Sequence, residues 1–107
     1  MNWFTEKYDD DVKISYKATK HLFHKKSDFQ TIDVYNNNIL GNYLVIDGIM
    51  MITEKDEFIY HEMIAHVPMA CNKNIKDVLV IGAGDGGTVR ELCRYDSLNS
   101  ITMVEID

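Results

Sequence analysis

The stretch Val78-Leu79-Val80-Ile81-Gly82-Ala83-Gly84-Asp85-Gly86-Gly87, followed after a helical run by Ile101-Thr102-Met103-Val104-Glu105-Ile106-Asp107, decides the fold. Residues 77–81 form an unalternated apolar run, as expected of a strand covered on both faces. Residues 88–95 carry Val89, Leu92 and Cys93 on one helical face, and residues 101–106 read as a second strand. Gly82, Gly84 and Gly87 match G-x-G-x-x-G, and Glu105 follows the last of them by 18 residues. A strand, a glycine turn, a helix and a strand ending in an acid make the unit that holds nucleotide-like ligands in Rossmann-type sheets.

Working back from this unit, the hydrophobic period changes twice. Residues 54–70 are helical, with Phe58, Ile59, Met63 and Val67 at helical spacing. Thr53 is the expected N-cap, Glu54, Asp56 and Glu57 suit the first turn, and Pro68, the single proline, marks the end. Before Thr53 the pattern is short and β-prone: residues 12–23, residues 30–35 with Ile32 and Val34 on one face, residues 40–46 and residues 49–53. Asn36-Asn37-Asn38 and Asp47-Gly48 read as turns. The expected architecture is α/β. A small N-terminal antiparallel β-domain (residues 1–53) precedes a connecting helix and the first strand-helix-strand unit of a truncated, Rossmann-like and methyltransferase-like domain (residues 54–107). Two parallel strands and one helix cannot cover both sheet faces, so Ile101, Met103 and Val104 are expected to be exposed.

Composition narrows the function classes. The 107 residues are 46% hydrophobic and carry a net charge of −6, which argues against a nucleic-acid partner. No apolar run reaches membrane-spanning length, and the acidic N-terminus has no secretory character, so a cytoplasmic protein without a membrane partner is expected. Cys71 and Cys93 read as partly buried, reduced thiols. Asp9-Asp10-Asp11 reads as a solvated turn.

Asp85 refines the ligand. A carboxylate inside the glycine loop would repel a pyrophosphate and favour positive charge, so an S-adenosyl sulfonium or an ammonium fits better than NAD. Alternatively, Asp85 points to solvent or caps the following helix. Glu105, at the end of the second strand, is placed to accept hydrogen bonds from ribose hydroxyls. His61-Glu62 with His66 imitates a zinc motif, but five helical residues place the histidines about 140° apart, so no metal is expected there.

Several segments resemble the spermidine synthase family, the polyamine aminopropyltransferases. They are Ser27-Asp28-Phe29-Gln30, Leu44-Val45-Ile46-Asp47-Gly48, Thr53-Glu54-Lys55-Asp56-Glu57-Phe58-Ile59-Tyr60-His61-Glu62-Met63, Gly82-Ala83-Gly84-Asp85-Gly86-Gly87-Thr88 with Arg90-Glu91, and Val104-Glu105-Ile106-Asp107. They run in family order, and the stretch from Thr53 to Met63 separates this family from general methyltransferases. Ala83 stands where a glycine is common, Met51 where some members have glutamine, and Asn74-Ile75 where asparagine-proline is common. The resemblance implies transfer of an aminopropyl group from decarboxylated S-adenosylmethionine, as co-substrate, to putrescine, giving spermidine and methylthioadenosine. No prosthetic group is implied. Gln30, Gly82, Gly84, Asp85, Gly86 and Glu105 would bind the adenosyl co-substrate, and Tyr60, His61 and Asp85 the amine. The family's general-base aspartate lies in a later loop without counterpart here, so no catalytic residue is assigned and the chain alone is expected to be inactive or nearly so. A homo-oligomer, dimer or tetramer, is expected. The alternatives are a non-catalytic oligomerising or ligand-binding fragment and an S-adenosylmethionine-dependent methyltransferase.

Overall fold

The computed structural model describes residues 2–107. The chain divides into two compact units, Met1–Asp56 and Glu57–Asp107.

The first unit is antiparallel β-structure. Strands β1 (Asn2–Lys7) and β2 (Lys13–Ala18) form a hairpin, and β3 (Lys20–Lys26), β4 (Thr31–Asn37), β5 (Gly41–Ile46) and β6 (Ile49–Thr53) form a meander in sequential order. Tyr43 and Val45 on β5 are buried, two residues apart on one face as strand alternation requires. Phe4, Tyr16 and Tyr35 cluster around Tyr43, with Phe4 stacked on Tyr35 at 5.6 Å. The β5–β6 turn is Asp47-Gly48, with φ of 50° and 80°. Those left-handed angles are what a tight hairpin needs and what this residue pair supplies. Asp47 also accepts a hydrogen bond from the Thr31 N–H at 2.8 Å, tying the turn to the start of β4.

This unit adds one strand to the sequence reading and changes three expectations. The N-terminal residues form β1, which the charged sequence hides because Glu6, not an apolar residue, points inward: it is buried and accepts a hydrogen bond from the Met50 N–H at 3.2 Å. Residues 12–23 are not one strand but fall into β2 and β3. Asn36 and Asn37 finish β4 rather than turn, and the Asn37 carboxamide oxygen accepts from the N–H groups of Ile39 and Leu40, at 2.9 and 2.7 Å, to shape the turn beyond. Thr53 does not cap the helix: it closes β6 and donates to the Asp56 carboxylate at 2.6 Å. Glu54 turns back to accept from the Asn42 backbone and side chain, and the helix starts at Glu57.

The second unit is α1 (Glu57–Cys71), β7 (Asp77–Ile81), α2 (Gly87–Leu92) and β8 (Ser100–Val104). β7 and β8 pair in parallel, from Asp77 opposite Ser100 to Ile81 opposite Val104. The core is Ala65, Met69 and Leu92, with Ile75, Val78, Val80, Tyr95, Leu98 and Ile101 packed against it. Complete burial of a side chain such as Met69 or Leu92 contributes about 1.5–3 kcal/mol.

The buried face of α1 differs from the apolar face of its sequence. Phe58, Ile59, Met63 and Val67 are about half exposed, whereas His61, Ala65 and Met69, spaced four apart, are buried. Helix α2 sets that choice, because small Ala65 permits close approach and His61 carries its own polar partners. Pro68 lies inside α1 rather than at its end. On α2 the buried residues are Gly87, Thr88, Glu91 and Leu92, not Val89 and Cys93, and the helix stops at Leu92. Cys71 and Cys93 are exposed free thiols. β7 is covered on one face only: Val78 and Val80 pack on the core, while Leu79 and Ile81 are exposed. Met103 and Val104 are exposed as expected, but Ile101 joins the core.

Candidate active site

The candidate site is built where β7 and β8 end. β7 runs into Gly82 (φ 66°), and the loop closes at Gly86 (φ 78°), left-handed angles that favour glycine. The Gly82 N–H donates to the Val104 carbonyl at 2.8 Å, continuing the strand pairing into the loop. The Gly84 N–H donates to Glu105 Oε2 at 3.0 Å. A Cβ at Gly84 would lie only 3.3 Å from that side chain, so glycine lets loop and carboxylate meet. The Ile106 N–H first, then those of Gly84, Asp107 and Ala83, hold the Glu105 carboxyl below the usual carboxylate range against partial desolvation. Glu105 is exposed, and each carboxylate oxygen keeps acceptor capacity beyond these bonds.

Asp85 both caps and faces outward. Its Oδ1 accepts from the Gly87 N–H at 2.7 Å, so Asp85 satisfies a donor at the start of α2 from the residue before the N-cap, Gly86. The same oxygen lies 3.1 Å from His61 Nε2. That contact is poorly aligned, and Nε2, in a side chain 2% exposed, has no well-directed partner among the described residues. The Asp85 side chain stays 27% exposed, open to a ligand.

His61 is held from the other side as well. Its Nδ1 bonds the Glu57 carboxylate one helical turn earlier. Arg90 grips the same carboxylate in a fork, Nη1 to Oε1 at 2.8 Å and Nη2 to Oε2 at 3.0 Å. The Arg90 guanidinium, with His61 second, holds the Glu57 carboxyl below its usual range. Gly87 completes the fit: a Cβ there would overlap the imidazole. The Tyr60 ring stands edge-on to His61, centroids 5.2 Å apart, and is exposed.

Of the expected residues, His61 therefore adjoins both Tyr60 and Asp85, and Gly84 adjoins Glu105. Gln30 lies in the β-unit, half-buried immediately before β4, with its N–H donating to Ser27 Oγ at 3.1 Å. Glu57, Arg90 and the contact of Gly87 with His61 were not foreseen. Glu57 and His61 stand four apart on a helix, a readable signal, but Glu57 and Arg90 are 33 residues apart and no local pattern links them. His61 and His66 have separate partners. His66 contacts the Tyr95 hydroxyl at 2.7 Å and the Glu91 carboxylate at 3.0 Å.

Glu91 sets an acid limit for this unit. A hydrogen bond from Arg94, aided by His66 and Arg90, outweighs desolvation and lowers its carboxyl from 4.5 to about 2. A depressed folded value stabilises the fold fully above the unfolded value and is lost as pH falls through the folded one. Glu57 and Glu105 shift in the same direction. The urea midpoint of the helical far-UV signal, which comes from this unit, is expected to fall steadily from pH 4.5 to about 2. A flat midpoint over that window would contradict the network.

A glycine loop follows the first of two parallel strands, and an acid after the second meets it, the arrangement that holds nucleotide-like ligands in Rossmann-type sheets. Comparison with known proteins gives the family. Residues 57–107 match the spermine/spermidine synthase domain and residues 2–54 the spermidine synthase tetramerisation domain. Over 105 residues, 98% of the chain, it is 63% identical to a polyamine aminopropyltransferase of Clostridioides difficile (strain 630) and 61% to that of Clostridium perfringens (strain SM101 / Type A), covering 37% of each. The spermidine synthase of Thermotoga maritima superposes with a TM-score of 0.94 at 46% identity, over 98% of this chain and 38% of that one. A spermidine synthase in complex with the transition-state analogue AdoDATO gives 0.95 at 46% identity, over 99% and 36%. The chain belongs to the spermidine synthase family and matches its N-terminal portion. It spans 37% of the length of these curated relatives.

Proposed function

We propose that these residues supply the N-terminal part of an aminopropyltransferase that moves the aminopropyl group of decarboxylated S-adenosylmethionine to putrescine. The observation that carries this reading is Asp85: one carboxylate oxygen is anchored on the Gly87 N–H while the side chain stays open beside a buried histidine. In this reading β7, α2 and β8 begin a Rossmann-like sheet, and the β-unit, residues 1–53, is a separate domain that assembles a homo-oligomer. The family match of residues 2–54 to a tetramerisation domain supports the last point. Among the described residues no helix is long and apolar enough to cross a membrane.

The roles follow from charge. Glu105 accepts the ribose hydroxyls while the Gly84 N–H holds it in place. Gly82, Gly84 and Gly86 let the adenosyl group approach the backbone, and Gln30 contacts its adenosine side. Asp85 attracts the amine, with Tyr60 and His61 lining the amine's place. The sulfonium makes the adjacent methylene electrophilic. The amine must be neutral to attack, yet a free alkylamine titrates near about 10, so a carboxylate must take a proton and the three reacting atoms must be aligned. The family resemblance puts that base in a later loop, so these 107 residues by themselves turn over slowly or not at all. A methyltransferase reading fits the glycine loop but leaves the match from Thr53 to Met63 without a role.

Calorimetric titration with methylthioadenosine tests the adenosyl half. Binding to the chain is expected, weakened at least about tenfold in Glu105→Ala, because hydrogen bonds to a charged acceptor are lost. No binding, or binding indifferent to Glu105, would overturn this assignment.

A further inference from the structure

A second group of chemistry-bearing side chains, none of them among the candidate site residues above, lies in the β-unit. His21 and His24 are three residues apart on β3, and plain strand alternation would send them to opposite faces. The β3–β4 register slips between His21 and Phe23, so one extra residue is inserted there. The slip brings His24 opposite Asp33 and His21 opposite Tyr35, and Asp33 and Tyr35 share a face of β4. His21 Nε2 and His24 Nδ1 each lie 2.7 Å from Asp33 Oδ1. The His21 ring is stacked on Tyr35 at 4.3 Å, which fixes its orientation.

From this convergence we infer that His21, His24 and Asp33 bind one borderline divalent transition-metal ion, with zinc(II) the representative. The three donor atoms lie within 4.8 Å of one another. Two imidazoles and one carboxylate are a donor set for zinc and its neighbours, whereas magnesium and calcium prefer oxygen alone. Metal bonds of about 2.0–2.2 Å in tetrahedral geometry separate donor atoms by roughly 3.3 Å. The ring nitrogens must therefore withdraw from the Asp33 oxygen by roughly half an ångström, a small adjustment for side chains 45% and 57% exposed. On binding, each ring gives up the inward N–H that it donates to Asp33 and keeps its proton on the other nitrogen, Nδ1 of His21 and Nε2 of His24, so that the inward lone pair faces the ion. Water completes the coordination, and the ion braces β3 to β4.

The test is calorimetry with zinc(II) chloride on the untagged 107-residue chain carrying Cys71→Ser and Cys93→Ser, which removes the exposed thiols as competing ligands. One ion per chain is expected. His21→Gln and His24→Gln should each weaken binding at least about tenfold, since losing a ligand costs no less than losing a ligand's supporting partner. Imidazole nitrogen resonances of His21 and His24, not of His61 and His66, should move. Asp33→Asn should weaken binding similarly; if that variant fails to fold, the two histidine variants, both on exposed rings, decide. Absence of binding, binding unchanged in both histidine variants, or shifts confined to His61 and His66 would overturn the site and leave a hydrogen-bonded cluster.

Discussion

Gly87→Ala is expected to destabilise the second unit by about 1–3 kcal/mol, the cost of forcing a methyl group into a filled site. The sign makes this informative. At an open helical position, replacing glycine with alanine stabilises by up to about 1 kcal/mol. Gly87 begins α2 with its Cα against the buried His61 ring, and a Cβ would overlap that ring. The ring cannot swing away cheaply, because Glu57 holds Nδ1 and Arg90 in turn holds Glu57. Urea unfolding followed by the helical far-UV signal reads the change. A neutral or stabilised variant would show that α1 and α2 do not meet through this contact.

Asp85→Asn is expected to lower kcat/KM for aminopropyl transfer by about 10- to 150-fold, the range set by losing one charge-assisted hydrogen bond to a cationic ligand. Asparagine keeps an oxygen for the Gly87 N–H, so the cap at 2.7 Å survives and only the charge goes. Asp85→Ala removes both and should also lower stability by about 1 kcal/mol, the usual net value of one hydrogen bond. The measurement is steady-state kinetics in a chimera in which residues 1–107 replace the matching segment of a full-length relative. If asparagine leaves kcat/KM unchanged, Asp85 serves only as a cap.

The elements most legible in the sequence are those with local causes. Asp47-Gly48 announces a tight turn and adopts left-handed angles at both residues. The apolar run before Gly82 becomes β7, and β8 ends just before the acid that reaches back to the glycine loop. What escaped the sequence depends on contacts between distant residues. β1 was hidden because its inward position is taken by Glu6, whose backbone partner, Met50, is 44 residues away. The buried stripe of α1 was hidden because polar His61 occupies it while Phe58 and Met63 remain about half exposed. Periodicity reports apolar residues, but burial here follows the close approach of α2 at Ala65 and Gly87. The site shows the same division. The glycine loop and Glu105 were legible from spacing, and Tyr60 and His61 from family resemblance. The Arg90–Glu57–His61 chain emerges only when α1 and α2 are folded together.

The measurement that bears most directly on the central claim is turnover of the chimera itself, with decarboxylated S-adenosylmethionine and putrescine, following methylthioadenosine release. The family assignment and the site geometry predict transfer within about tenfold of the parent relative, since Tyr60, His61, Asp85 and Glu105 would supply the contacts of that segment. The free 107-residue chain, its intact mass verified in the same experiment, is expected to release little or none. A folded chimera without turnover would contradict the claim that these residues build an aminopropyltransferase site, and turnover by the free chain would contradict the placing of the base outside it.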